Sequence, residues 1–239
     1  MKKEEPILIT SHHNKNIVIG IENEFCKWRA RTLLTKEPET IKWLQSFKKT
    51  DIFWDVGANI GLYSVFASLM TGCKTYAFEP ENQNFAVLNK NIFFNKIDKL
   101  VQAYCVGISN VTEINSLKLS KFEAGHSGHS LSQSVARFNQ GCICFSIDDL
   151  IELGIPSPNH LKIDIDGLEH LVIQGARKNL NSMDSVLVEI DQKNTRHMEI
   201  LNEMKSRGFT YNAEQVEKTG LNRGDNFANY REYIFTRTV

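Results

Sequence analysis

From residue 51 onward, short apolar runs alternate with longer segments in which apolar side chains recur every three or four positions. The runs predict strands over Asp51–Val56, Lys74–Glu79, Leu100–Gly107, Ile143–Ile147, His160–Asp166 and Ser185–Ile190. The intervening segments predict helices over Ile60–Thr71, Asn82–Asn95, Leu168–Leu180 and Thr195–Arg207; Phe85, Leu88 and Ile92 show the helical spacing. Several runs are apolar at nearly every position, as expected of strands covered on both faces. Strands alternating with helices predict an α/β fold around a doubly wound, mostly parallel sheet. The tail breaks this rhythm. Phe209–Gln215 and Glu232–Thr236 read as strands joined only by a polar loop, Lys218–Tyr230, which predicts an antiparallel strand at the sheet edge.

Residues 1–50 stand apart from this pattern. Ile17–Ile21 reads as a strand and Glu37–Phe47 as a helix, with Thr35 as its cap and Pro38 in the first turn, where a missing N–H is tolerated. No linker follows, so residues 1–50 are expected to pack as a cap on a main domain formed by residues 51–239. Trp28 and Arg29 read as packing residues or as contacts to a substrate. Residues 120–140, SKFEAGHSGHSLSQSVARFNQ, are polar and rich in Gly and Ser. A loop of that length in a compact domain usually serves a site, here as a lid.

Charge and composition narrow the function. The 239 residues include 28 Lys plus Arg and 28 Asp plus Glu, a net charge of zero. A surplus of basic residues, which binding to bare nucleic acid draws on to displace counterions, is absent. The longest apolar stretches, such as Leu62–Met70, fall well short of the ~20 residues of a membrane helix. Ile7–Ile9 is too short for a signal-peptide core, so a soluble, cytoplasmic protein is expected. The five cysteines are odd in number and lack a C-x-x-C spacing, which argues against a disulfide framework or a zinc ribbon. Cys142 and Cys144 fall on one face of a strand-like run and read as buried thiols.

The strongest chemical signal is DIFWDVGANIGLYSVFA, Asp51 to Ala67. A buried strand ends at Asp55, a tight turn carries Gly57, Asn59 and Gly61, and an amphipathic helix follows. Gly57 permits a sharp turn and close ligand approach, Asn59 tolerates left-handed backbone, and Gly61 lets the helix start close to the sheet. The helix start offers N–H groups to a carboxylate or phosphate. Glu79, at the end of the next strand, can accept hydrogen bonds from ribose hydroxyls, and Pro80 ends that strand. A nicotinamide dinucleotide site prefers G-x-G-x-x-G; here the middle glycine is missing and Asp55 would repel a pyrophosphate. The same charge suits the ammonium of S-adenosylmethionine. A second acidic group, Asp164, Asp166 and Glu169 in HLKIDIDGLEH, falls at the same strand edge. Three acids could ligate Mg²⁺ or Mn²⁺, and helix capping accounts equally well for Asp166 and Glu169; no metal site is assigned.

These segments resemble the FkbM-type S-adenosylmethionine-dependent methyltransferases. DVGANIGLYS, AFEPENQNF, VGIS, SIDDL, LKIDIDGLEHLVIQGA and LVEI occur in the family's order across roughly residues 50–210, and EPETIKWL resembles a helix upstream of them. One departure is Asp166, where the family commonly has glutamate. The resemblance implies a class I methyltransferase (Rossmann-like) fold and O-methylation of a sugar, glycan or small natural product. It also implies that Asp55, Gly57, Asn59 and Gly61 cradle the methionine end of the cofactor, that Glu79 meets the ribose, and that Cys105–Gly107 lies near the adenine. A hydroxyl acceptor benefits from a general base, and the candidates are Asp164, His126 and His129. A non-catalytic S-adenosylmethionine-binding module and a nicotinamide-dependent oxidoreductase are the alternative readings. The sequence names neither the acceptor nor the oligomeric state.

Overall fold

A computed structural model describes residues 6–128, 131, 137–220 and 229–237. Its centre is a seven-stranded sheet. The strands are β3 (Ile52–Val56), β4 (Lys74–Phe78), β5 (Val101–Tyr104), β9 (His160–Ile163), β10 (Ser185–Asp191), β11 (Phe209–Tyr211) and β12 (Tyr230–Arg237), in the spatial order β5-β4-β3-β9-β10-β12-β11. All pairings from β5 to β10 are parallel, whereas β12 runs antiparallel to both β10 and β11. The antiparallel strand therefore lies one place in from the edge, and β11 forms the edge itself. Residues 213–220, expected as strand and loop, form a helix, α8 (Ala213–Gly220), whose Val216 packs into the core.

The sheet is covered on both faces because its side chains alternate between two cores. Phe53, Ala77 and Leu187 point into one cluster, and Trp54, Phe78 and Val186 into the other. The first cluster is closed by helices α1 (Glu24–Thr32), α2 (Pro38–Gln45), α3 (Leu62–Thr71) and α4 (Asn82–Asn95). The second is closed by α5 (Ile147–Glu152), α6 (Glu169–Gly175), α7 (Thr195–Ser206) and α8.

The N-terminal region contributes directly to the first core through Ile17, Ile19, Cys26 and Leu44. It opens with a hairpin, β1 (Ile7–His12) and β2 (Lys15–Gly20), whose two turn residues, His13 and Asn14, both have positive φ (44° and 60°). Helix α2 starts at Pro38 behind Glu37, not behind Thr35, and Glu37 makes no capping bond with its side chain. A second, three-stranded sheet of β6 (Gly107–Ser109), β8 (Phe138–Ser146) and β7 (Glu113–Leu119) stands beside the C-terminal end of β5. The expected strand Leu100–Gly107 is thus divided between two sheets. Cys142 and Cys144 do share the buried face of β8, with sulfurs 3.8 Å apart.

Candidate active site

Because β3, β4 and β9 are parallel and in register, Val56, Phe78 and Ile163 end at one edge of the sheet. Ligands of open α/β sheets bind beyond that edge. The loop after β3 is folded tightly against both neighbours. The N–H groups of Gly57 and Ala58 donate to the carbonyl of Phe78 at 3.0 and 3.1 Å. Gly57 has φ +80°, and a Cβ there would lie 1.9 Å from the backbone oxygen of Asp164. Asn59 is also left-handed, at φ 51°. Gly61 has φ +80° too, but a Cβ on it would meet Leu88 at 2.0 Å. Gly61 therefore brings the start of α3 against α4; the sequence reading had it approach the sheet.

Glu79 closes this loop from the side. Its Oε2 accepts the Asn59 N–H at 2.8 Å and its Oε1 the Glu81 N–H at 2.9 Å. The carboxyl is 6% exposed, and burial outweighs those two donors, pushing its pKa up to about 7. Glu79 and Pro80 line a cleft whose far end is apolar, formed by Phe78, Val106, Ile108 and Leu117. Gln140 of β8 donates to the Pro80 carbonyl at 2.6 Å and so fastens the small sheet to the cleft.

Asp55 does not reach that cleft. It is fully buried under the loop, accepts a hydrogen bond from Ser64 Oγ at 2.6 Å, and lies in register beside Lys162. Burial raises its carboxyl above the usual range even though the Lys162 ammonium is 3.8 Å away. Lys162 also donates to Asp164 at 3.1 Å. Burial disfavours its charge, yet the carboxylates of Asp164, Asp55 and Glu37 raise its pKa further.

Lys162 and Asp164 face a second chamber that adjoins the cleft at Gly57 and Asn59. Its other charged groups are Arg29 of α1 and Lys36 and Glu37 at the start of α2. Glu37 pairs with Lys36 at 2.6 Å and accepts the hydroxyl of Tyr63. Burial would raise the Glu37 carboxyl, but Lys36 and Lys162 hold it below the usual range. Leu62 and Tyr63, first-turn residues whose N–H groups have no intrahelical carbonyl to reach, line the same chamber. Sequence reasoning missed Lys36, Glu37, Tyr63 and Lys162. The signal was present only in the alternation of β9, which puts Lys162 on the same face as its register partner Asp55.

The wall opposite Glu79 is Asp164 and Asp166. Asp166 is left-handed (φ 59°), an unusual conformation for a residue other than glycine. Burial and the neighbouring Asp164 push its pKa up to about 6. The third acid of the cluster turns away: Glu169 accepts the N–H groups of Ile165 and Gly167, each at 3.1 Å, and meets His197 at 3.0 Å. The three acids that could ligate a divalent cation therefore do not converge. Among the described residues, no group of three His, Cys, Asp or Glu is arranged to hold a metal.

The loop after β7 roofs the cleft through its backbone. Asn84 accepts the Gly125 N–H at 2.6 Å, Asn59 Nδ2 donates to the His126 carbonyl at 2.9 Å, and Asn23 Nδ2 donates to the Ala124 carbonyl at 2.8 Å. Asp166 accepts the Gly128 N–H at 2.7 Å. His126 thus joins the site by its carbonyl, while its ring packs edge-on against Phe25 at 5.1 Å. His129 lies outside the described residues.

Residues 55–211 match the family described as the methyltransferase FkbM domain. The chain belongs to that family. It is 30% identical over 205 residues to the hexuronic acid methyltransferase AglP of Haloferax volcanii, covering 84% of this chain and 78% of that protein. It is 24% identical over 194 residues to the 31-O-demethyl-FK506 methyltransferase FkbM of Streptomyces tacrolimicus, covering 69% and 75%. Among solved structures, a methyltransferase FkbM from Methylobacillus flagellatus superposes with a TM-score of 0.56 at 15% identity, over 90% of this chain and 56% of that one. The fold is thus that of class I methyltransferases, and this FkbM-family methyltransferase uses S-adenosylmethionine. Membership sets aside the oxidoreductase and the non-catalytic module as readings of the glycine loop. Among the described residues, no helix of the methyltransferase is long and apolar enough to cross a membrane.

Proposed function

We propose that the protein methylates a hydroxyl of a sugar or glycan, with Asp166 as the group that takes the proton. The observation that carries this reading is the Asp166 carboxylate: it lines the cleft, and its pKa of about 6 suits a base working near neutral pH. The sugar class follows the relative named for hexuronic acid.

The residues present fit the cofactor. The mixed-charge chamber of Arg29, Lys36, Glu37, Lys162 and Asp164 matches the ammonium and carboxylate of a methionine end. Glu79 stands next along the cleft with a carboxylate suited to two ribose hydroxyls, and Val106, Ile108 and Leu117 offer apolar cover to an adenine. S-adenosylmethionine supplies a methyl carbon already activated on a positively charged sulfur.

The protein's own work is alignment and proton removal. Gly57 and Asn59 set the loop that divides the cleft from the chamber. The pinned roof of residues 124–128 excludes water from the cleft beneath it. Asp166 Oδ2 is held by Gly128, which orients the carboxylate so that Oδ1 can accept a hydroxyl proton as that oxygen attacks. Asp164, one of the three bases suggested by the sequence, is occupied by Lys162 at 3.1 Å and better suits positioning.

A methyl-transfer assay over pH 5–8 with a panel of glycosides tests the assignment. Activity is expected to rise with pH through about 6, as Asp166 loses its proton. Asp166→Asn is expected to lower kcat by roughly 10²–10⁴-fold and to abolish that rise. An unaltered pH profile in Asp166→Asn would remove Asp166 from the role, and methylation of amines alone would overturn the hydroxyl class.

A further inference from the structure

A hollow outside the cofactor cleft has no role in the account so far. It lies between α1 and the roof loop and is lined by Glu24, Phe25, Trp28, Arg29, Gly125, His126 and Ser127. Arg29 and His126 line the cleft as well, and Arg29 also borders the chamber, so a molecule seated in the hollow reaches the wall that carries Asp166.

Two features give this hollow its chemistry. The first is Arg29. Its Nε donates to the Gly125 carbonyl at 2.6 Å, which fixes the plane of the guanidinium. Its two terminal nitrogens make no hydrogen bond or ion pair among the described residues. The surrounding acids are engaged elsewhere: Glu24 with Lys27 at 3.0 Å, Asp164 with Lys162 at 3.1 Å, and Asp166 with the Gly128 N–H at 2.7 Å. An oriented guanidinium with its outer edge open matches a carboxylate through two parallel hydrogen bonds. The second is Trp28, 48% exposed and with no aromatic partner among the described residues. The electron-rich face of an indole attracts the slightly positive C–H face of a pyranose ring. Phe25, packed against His126, and Lys121, 4.8 Å above the Phe25 ring and paired with Glu123 at 2.8 Å, form the rim.

The acidic wall of Asp164 and Asp166 would repel an anionic acceptor unless a cation stood at the entrance, and Arg29 stands there. We propose that the hollow is an acidic-sugar site in which Trp28 lies under the ring of a hexuronate and Arg29 pairs with its carboxylate, leaving a hydroxyl toward Asp166. This deepens the reading of the protein as a sugar O-methyltransferase and rests on it.

The test is binding, measured by calorimetry on protein saturated with S-adenosylhomocysteine. The probes are methyl glycosides of glucuronate, galacturonate and mannuronate, each compared with its neutral hexose counterpart. At least one uronide is expected to bind tenfold or more tightly than its neutral partner. Arg29→Gln is expected to reduce that ratio to about one, and Trp28→Ala to weaken a uronide and its neutral partner by similar factors. S-adenosylhomocysteine affinity is expected to stay within about twofold in Trp28→Ala, and the Tm of both variants to match that of the unmutated protein, which shows that they fold. If no uronide exceeds its neutral partner, or if Arg29→Gln keeps the preference, the acidic-sugar assignment is overturned. If Arg29→Gln instead loses S-adenosylhomocysteine, Arg29 belongs to the cofactor and the assignment is likewise overturned. Failure of the unmutated protein to bind S-adenosylhomocysteine would overturn the cofactor reading beneath it.

Discussion

Glu79 is asked to do two things at once. It holds the glycine loop through the Asn59 N–H, and it presents a buried carboxylate to the cleft. Hydrogen bonds to a charged group contribute about 1.5–3 kcal/mol each, so Glu79→Ala is expected to weaken S-adenosylhomocysteine binding by roughly ten- to a hundredfold or more. Its raised pKa adds a second signature. Hydroxyls donating to the carboxylate favour its charged form, so binding near pH 6–7 is expected to release protons. Calorimetry in buffers of different ionisation heat reads both effects; unchanged affinity in Glu79→Ala would remove the ribose role. Glu79 was legible in the sequence because its place at the end of a strand fixes its position in any parallel sheet. Asp55 was legible as the end of a buried strand but not in its geometry: β-strand alternation turns it under the loop, toward Ser64 and Lys162. Lys36 and Glu37 could not be read at all, because their closeness to Lys162 and Tyr63 arises only when α2 packs on α3.

At the level of elements, the two glycines of the loop differ sharply in what they tolerate. A Cβ at Gly57 would strike backbone, which cannot step aside, whereas a Cβ at Gly61 would strike the tip of Leu88, which can. Both substitutions carry the strain of a left-handed φ, about 1–2 kcal/mol. Gly57→Ala is therefore expected to cost about 3 kcal/mol or more, and Gly61→Ala about half of that. Urea unfolding of both variants checks the order; equal losses would mean that the approach of Asp164 to Gly57 is not rigid. The parallel strands and their helices were readable because each buries large apolar side chains at a clear period. The elements that were missed lack that signal. Helix α1 buries only Cys26 and Ala30, both small. Strand β1 leaves Ile7 and Ile9 about half exposed, and β7 keeps Ile114 in solvent while burying Leu117 and Leu119. Helix α8 was read as strand and loop because Val216 is its one large buried apolar side chain among polar neighbours.

The whole molecule joins these parts by layering. Helices cover both faces of the sheet, and at the C-terminal ends of its strands the roof loop and the small sheet narrow the opening to a cleft. The zero net charge says little about such a protein, because its informative charges are local: Glu79, Asp164 and Asp166 within, Arg29 at the entrance. The claim on which the rest depends is that this cleft binds the methyl donor. Thermal unfolding with S-adenosylhomocysteine, and in parallel with NADH, tests it most directly. A ligand at a hundred times its Kd stabilises by about 2.7 kcal/mol, or roughly 5–10 °C in Tm for a chain of this size. S-adenosylhomocysteine is expected to raise the Tm by that amount and NADH to leave it unchanged; stabilisation by NADH with none from S-adenosylhomocysteine would contradict the account.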